Sequence, residues 1–266
     1  MDVPHFCKVK KTKTEMNKTA IITGGSRGLG KNMALSLASR GIDVILTYHS
    51  NKEMAYQVVE EIEKLGTKAV AFQLDTSRVD AFASFLAQVD HWLQETKNTS
   101  NFDFLINNAG IGIYETIQNS SEDQFDSMVN IHLKGVYFLT QQAIPRINRG
   151  GRIINVSSGL ARFSLPGYAA YAMMKGGIEV FTRYLAKELG EKGISANTLA
   201  PGAIETDFQG GAVRDNAQLN QHVSNSTALG RVGLPEDIGG VVAFLCSEEA
   251  RWVNAQRIEV SGGQNI

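Results

Sequence analysis

The sequence is poor in cysteine. Two cysteines in 266 residues, Cys7 and Cys246, stand near opposite ends of the chain with no redox or zinc spacing, so both read as free thiols of a reducing compartment. An excess of one charge is also missing: 26 basic against 27 acidic residues leave a formal net charge of -1. No net field draws the molecule to nucleic acid or an anionic membrane, and the expected partner is a small molecule. Long apolar runs are absent, and the lysine-rich leader (Lys8, Lys10, Lys11, Lys13) lacks the apolar centre of a secretory signal; the cytoplasm is the expected location. The histidines His5, His49, His91, His132 and His222 have no metal-binding spacing among themselves or with carboxylates. Surface or packing roles are expected for them, and no metal. No repeat, low-complexity tract or Pro/Gly/Ser linker divides the chain.

What is present is an alternation. Short apolar, β-rich runs begin at Thr19, Asp43, Lys68, Phe102, Arg152 and Ile194, and helical stretches fill the gaps. Runs apolar on both faces suit central parallel strands. In 52–65, Ala55, Val58, Val59, Ile62 and Leu65 recur at helical spacing before Gly66 stops the helix. Strands alternating with helices over this length predict one α/β domain, 18–266, built as a doubly wound parallel sheet with helices on both faces. Residues 1–17 are expected to be a flexible extension or a product of start-site choice. The aperiodic stretch 202–234 is expected to be a functional loop.

The first strand runs into Thr23-Gly24-Gly25-Ser26-Arg27-Gly28-Leu29-Gly30 and then a helix. Glycines there permit a tight turn and a close approach of backbone N–H groups to a pyrophosphate, which the helix N-terminus also favours. The spacing Gly24, Gly28, Gly30 resembles the T-G-x-x-x-G-x-G fingerprint of classical short-chain dehydrogenases/reductases, and the resemblance extends over most of 18–263. It implies a Rossmann-type sheet of about seven strands and a nicotinamide cofactor. Asp75 and Thr76 match the family's adenine contact, and Asn107-Asn108-Ala109-Gly110 its N-N-A-G segment, although these asparagines also suit a purely structural role at a strand end. Pro201-Gly202-Ala203-Ile204-Glu205-Thr206 is similar to the segment that flanks the nicotinamide, with Ile204 and Thr206 as contacts.

An NAD-preferring enzyme places a carboxylate after the second strand. Here that stretch reads Thr47-Tyr48-His49-Ser50-Asn51-Lys52, with no acid, while Arg27 offers a guanidinium to a 2′-phosphate. NADP(H) is the expected cofactor, with Arg27, Tyr48, Ser50 and Asn51 around it. Ser50 or Asn51 also suits the cap of the next helix.

Tyr171 and Lys175 stand four apart on a helical run, hence on one face. An ammonium about 4 Å from a phenol contributes up to about 4 kcal/mol at a dielectric near 20. That equals about three pKa units, enough to bring a tyrosine toward neutral pH. Thirteen residues upstream, Ser158 ends the fifth strand and can bond the substrate oxygen; Ser157 competes, and Ser158 matches the family's spacing. Asn130 matches the family's helix asparagine, whose carbonyl holds a water linked to the lysine. Together Asn130, Ser158, Tyr171 and Lys175 are the expected catalytic set.

The activity implied is hydride transfer between NADP(H) and a carbonyl or secondary alcohol. A 3-oxoacyl-thioester reductase leads, a sugar or polyol dehydrogenase is the alternative, and a non-catalytic NADP(H)-binding regulator is a different class of answer. The basic cluster Arg146, Arg149, Arg152 and Lys192 suits either an acyl carrier protein or a solvated helix end. The resemblance also implies a homotetramer, paired through the helices of 123–147 and 171–189 and through Ile258-Glu259-Val260.

Overall fold

The computed structural model describes residues 17–266; the expected extension lies outside them except for Asn17. That residue already belongs to the domain, since its amide donates to Asp43 Oδ1 at 3.3 Å. No helix among the described residues is long and apolar enough to cross a membrane.

The described residues form a seven-stranded, wholly parallel sheet in the order β3-β2-β1-β4-β5-β6-β7. The strands are β1 (Thr19–Ile22), β2 (Asp43–Tyr48), β3 (Ala69–Gln73), β4 (Phe102–Asn107), β5 (Ile147–Val156), β6 (Ser195–Pro201) and β7 (Arg257–Val260). Chain order reverses between β1 and β4, which opens a crevice at their carboxyl ends, the place where such sheets bind ligands.

Alternation along each strand divides the core in two. Ala20, Ile22, Val44, Leu46 and Ile154 pack with α1 (Gly28–Ala38), α2 (Lys52–Lys64) and α9 (Glu236–Leu245). Ile21, Ile45, Leu105 and Ile153 face α3 (Phe82–Lys97), α5 (Val136–Ala143) and α6 (Ala169–Glu188). Each fully buried Leu, Ile or Phe contributes about 1.5–3 kcal/mol, so covering both faces is what fixes the strand ends in place.

Two segments depart from expectation. The predicted helix over 123–147 is broken: α4 (Glu122–Val129) passes into a π-helical turn, Asn130–Gly135, before α5 resumes. Gly135 lies so close to the Thr76 carbonyl that a β-carbon would collide with it, and a π-turn of this kind re-aims side chains locally. The aperiodic stretch 202–234 is not a bare loop. It carries α7 (Ala212–Asp215) and α8 (Ala217–Asn225), the latter capped by Asn216 Oδ1, which accepts from Gln218 and Leu219 N–H. Both helices are too short, four residues and nine, for an apolar periodicity to register over them.

Candidate active site

The glycine loop is tied down from three sides. Gly24 N–H donates to Thr47 Oγ1 at 3.1 Å and Gly25 N–H to Thr47 O at 2.8 Å. Asn108 donates its amide to Thr23 O at 2.9 Å and to Gly24 O at 3.1 Å. Gly30 rests against Gly24, whose carbonyl a β-carbon at position 30 would strike. Gly28, at φ +54°, faces Thr206, so the loops after β1 and β6 meet across the crevice. The α1 N-terminus has no side-chain cap and no acidic residue in its first turn, and its N-cap position is the exposed Arg27. Free N–H groups, a positive dipole end and a guanidinium fit a diphosphate. A nicotinamide dinucleotide would therefore be held by Gly24, Ser26, Arg27, Gly28, Leu29 and Gly30, with Ala109 and Gly110 beyond them and Pro201, Gly202, Ile204 and Thr206 opposite.

Three of the other expected cofactor contacts, Tyr48, Asn51 and Asp75, also have partners within the domain. Tyr48 is buried in the core on the α1 side, so its ring is a packing group. Asn51 caps α2, accepting from Met54 N–H at 3.0 Å; Ser50 is exposed. Asp75 accepts from Ser77 N–H at 2.9 Å and Ser77 Oγ at 2.7 Å. Burial works against its ionised form, yet those bonds, with His49 and Arg78 nearby, hold its carboxyl below the usual range.

Around the start of α6, Tyr171 and Lys175 are both buried, with Lys175 Nζ 5.5 Å from the centre of the Tyr171 ring. The ammonium donates to Val156 O at 2.8 Å. The two serines part ways. Ser157 is buried and donates to Glu179 Oε1 at 2.8 Å and Lys175 O at 3.2 Å, whereas Ser158 Oγ accepts from Leu160 N–H at 3.2 Å and lies close enough to the Tyr171 hydroxyl to favour its ionised form. The expected acidification of the phenol is reversed among the chain's own groups: burial raises the Tyr171 pKa above 10, with only the neighbouring Ser158 hydroxyl opposing it. Burial also lowers Lys175 to about 8. Desolvation disfavours both charged forms, and the ammonium is turned to a carbonyl.

A family model described as enoyl-(acyl carrier protein) reductase matches residues 24–265. The hydroxynaphthalene reductase-like protein Arp2 of Metarhizium robertsii is 34% identical over 258 residues, 92% of this chain and 94% of its own length. Versicolorin reductase of Emericella nidulans is 34% identical over 257 residues, 92% of this chain and 95% of its length. Among solved structures, the angucycline C-6 ketoreductase LanV with bound NADP superposes with a TM-score of 0.89 at 33% identity, covering 93% of this chain and 95% of that one. The chain belongs to the classical short-chain dehydrogenase/reductase family. It is an oxidoreductase.

Within this reductase the helix before α5 presents a residue that sequence reasoning set aside. Asn130, the nominated asparagine, opens the π-turn and is half-buried. The side chain from this turn that reaches Tyr171 belongs to His132, 1% exposed, its ring edge-on to the tyrosine with centroids 5.4 Å apart at 90°. His132 Nε2 lies 2.8 Å from Ile111 O. Its pKa is pushed down to about 3, first by burial and then by the Lys175 charge, so it is neutral. The available signal was a polar residue inside an apolar helical run, read as packing because the π-turn that aims it inward is invisible to 3.6-residue periodicity.

Of the basic cluster that suits a carrier protein or a solvated helix end, Arg146 and Arg152 have internal partners, while Arg149 and Lys192 stay exposed. Arg146 forms a two-pronged pair with Asp90, both contacts 2.8 Å. Arg152 is buried and donates to Gly151 O at 3.0 Å, and Arg149 donates to Glu191 O at 3.2 Å.

Proposed function

We propose that this reductase is an NADP(H)-dependent ketoreductase that reduces the ketone of a flat, fused-ring aromatic substrate. The observation that carries the reading is the aromatic wall beside Tyr171. Phe208 lies 5.9 Å from the Tyr171 ring and Tyr114 packs edge-on to Tyr168 at 5.4 Å. Tyr114 and Phe208 remain 63% and 42% exposed. Exposed rings at a cleft mouth stack on planar aromatic surface, which a linear acyl chain or a sugar offers far less of. The names of the relatives, hydroxynaphthalene reductase-like protein, versicolorin reductase and angucycline ketoreductase, support the same substrate class. The leading expectation from the sequence, a 3-oxoacyl-thioester reductase, loses support because two of its four basic docking candidates, Arg146 and Arg152, have internal partners. The presence of Arg27, with no carboxylate from Thr47 to Lys52, supports the phosphorylated cofactor.

When bound, NADPH supplies the hydride. Tyr171 holds its proton throughout the neutral range, so it gives it up only to a strongly basic oxygen such as the one that forms as the ketone is reduced. The Ser158 hydroxyl, beside that phenol, orients the carbonyl and steadies the growing charge. Lys175 stabilises the phenolate left behind and, with a pKa of about 8, is able to return a proton near physiological pH. In the assembly proposed with this reading, a homotetramer, exposed Tyr137 and Tyr184 on α5 and α6 support pairing of these faces.

The test is a spectrophotometric screen of NADPH oxidation with bicyclic aromatic ketones, β-keto esters and 3-oxoacyl thioesters. The aromatic ketones are expected to show kcat/KM at least about ten-fold above the thioesters, a difference of about 1.4 kcal/mol. The opposite ranking restores the thioester reading, and NADPH binding without turnover of any class favours the regulator.

A further inference from the structure

The aromatic wall beside Tyr171 is held by a bond that lies outside the catalytic set. Tyr168, at the N-cap position of α6, donates its hydroxyl to Gln209 Oε1 at 2.7 Å. The bond joins the start of the catalytic helix to the segment after β6. Gln209 adopts left-handed backbone, φ +53° and ψ +42°, and Gly210 and Gly211 follow it at φ +70° and +81°. A residue with a β-carbon is disfavoured there, and such residues concentrate where function fixes the geometry. Gln209 Nε2 is also a buried donor with no partner among the described residues, a second penalty at the same position. What the two penalties accompany is the placement of Phe208. Its ring lies 5.9 Å from that of Tyr171. It also presses on Gly112 in the turn after β4, where a β-carbon would come within 2.5 Å of Phe208 Cζ and 2.9 Å of Gln209 Cγ. Tyr168 in turn carries Tyr114 edge-on at 5.4 Å. One hydrogen bond thus links the segment that bears Phe208 to the ring against which Tyr114 packs.

We propose that Gln209 is a specificity-determining residue of the ketone reduction: latched to Tyr168, it fixes the Phe208 and Tyr114 rings relative to each other, so that the cleft beside Tyr171 accepts a planar fused-ring ketone in preference to an acyclic one. The inference rests on the proposed substrate class. Phe208 and Tyr114 belong to separate segments, after β6 and after β4, and without the latch each would have to be ordered by the substrate itself. A wall fixed beforehand removes that ordering cost. A flat fused-ring ketone needs both rings at once, whereas an acyclic ketone lies against either alone, so the latch acts on the first and hardly on the second. Gln209 works through Phe208 and Tyr168 and not on the reacting atoms. The latch is separable from the packing around it: Tyr168→Phe keeps the ring against Tyr114 and removes the donor, and Gln209→Met keeps the length of the side chain and removes the acceptor.

The experiment measures kcat and KM in the full chain for Tyr168→Phe, Gln209→Met and the double variant, with α-tetralone as the fused-ring ketone and ethyl acetoacetate as the acyclic one. The readout is the ratio of kcat/KM for α-tetralone to that for ethyl acetoacetate, which a general loss of structure would leave unmoved because it lowers both. Each single variant is expected to lower the ratio by about ten-fold, near the upper end of what one neutral hydrogen bond contributes. The loss should fall on KM for α-tetralone more than on kcat, since Tyr171 and Ser158 are left in place. The double variant is expected to match the weaker single variant, because both substitutions remove the same bond. An unchanged ratio in Tyr168→Phe, equal losses on the two ketones, or single losses that multiply in the double variant each overturn the proposal. Should Gln209→Met fail to fold, Tyr168→Phe, which keeps its ring, decides alone by the same ratio. Failure of the substrate class reads differently: a wild type that prefers 3-oxoacyl thioesters to α-tetralone sinks the proposed function, whereas a wild type that prefers α-tetralone, with variants that keep this preference in full, sinks only the role of Gln209.

Discussion

The two ends of the sheet each bury a lysine, and they treat it in opposite ways. At the amino end, Lys97 meets Asp43 Oδ2 at 2.7 Å and Thr19 Oγ1 at 2.7 Å, and also bonds Asn17 O. Asp43 further accepts from Lys68 N–H at 2.9 Å, so the cation and its counter-charge are both satisfied. At the carboxyl end, Lys175 has one carbonyl, Val156 O, and no carboxylate among the described residues. Its neighbours Tyr171 and His132 are also held away from their charged forms. A buried charge that is fully paired ties strands together; one that is barely paired is ready to exchange its proton. The amino end is built to stay as it is, and the carboxyl end to change protonation.

That contrast is breakable. The largest effect belongs to Tyr171→Phe, which removes the transferable proton: kcat is expected to fall by at least about 1,000-fold, while the urea midpoint and NADPH affinity, read by denaturation and fluorescence titration, stay near wild type. Asp43→Asn does the reverse. It strands the Lys97 ammonium in the core and is expected to cost about 3–5 kcal/mol of stability in urea denaturation, with kcat at 25 °C unchanged for the folded fraction. A catalytic collapse in Asp43→Asn without destabilisation would erase the division of labour.

Lys175→Met sharpens the comparison through pH. Burial places the folded-state pKa near 8 against 10.5 for the free side chain. Below pH 8 both folded and unfolded chains carry the proton, so the cost of burying the charge is fully present. Between 8 and 10.5 the unfolded chain binds more protons, and wild-type stability rises with pH by about 3 kcal/mol in all. Lys175→Met lacks that slope, so it should be the more stable protein at pH 7 by up to this amount and lose the advantage near pH 10.5, in parallel urea titrations. An equal advantage at both pH values would mean that the lysine is not buried as a cation. The smallest effect is expected from Arg27→Ala, on the solvent side of the carboxyl end. It should raise KM for NADPH by about ten-fold and leave KM for NADH and the thermal midpoint unaltered.

Much of the site was legible because its chemistry is local. Tyr171 and Lys175 share a helix face at any tertiary arrangement, and the glycine loop follows directly from β1. Ser158 over Ser157 was readable only by resemblance; what separates them physically is the turn after β5, which commits Ser157 to Glu179. His132 was illegible, because a π-turn has no signature in an apolar periodicity and its ring acquires a meaning only against Ile111 and Tyr171. In the stretch without acids, the sequence offers Asn51 as a cap of the next helix as well as a cofactor contact, and the structure shows the cap; the burial of the Tyr48 ring is set by the core around it. The helices of 212–225 are too short for periodicity to reveal.

By itself the sequence determined the alternation of parallel strands and helices, the phosphate-binding turn, the pairing of a phenol with an amine, and the absence of an acid after the second strand. All of these rest on spacings of a few residues, which backbone geometry translates directly into shared faces and tight turns. Tertiary structure alone decided which end of the sheet neutralises its buried lysine, which way the two protonation equilibria at the site are pushed, and which side chain of the π-turn reaches the tyrosine. Those are matters of desolvation and of contacts between segments distant in the chain, and no local pattern encodes them.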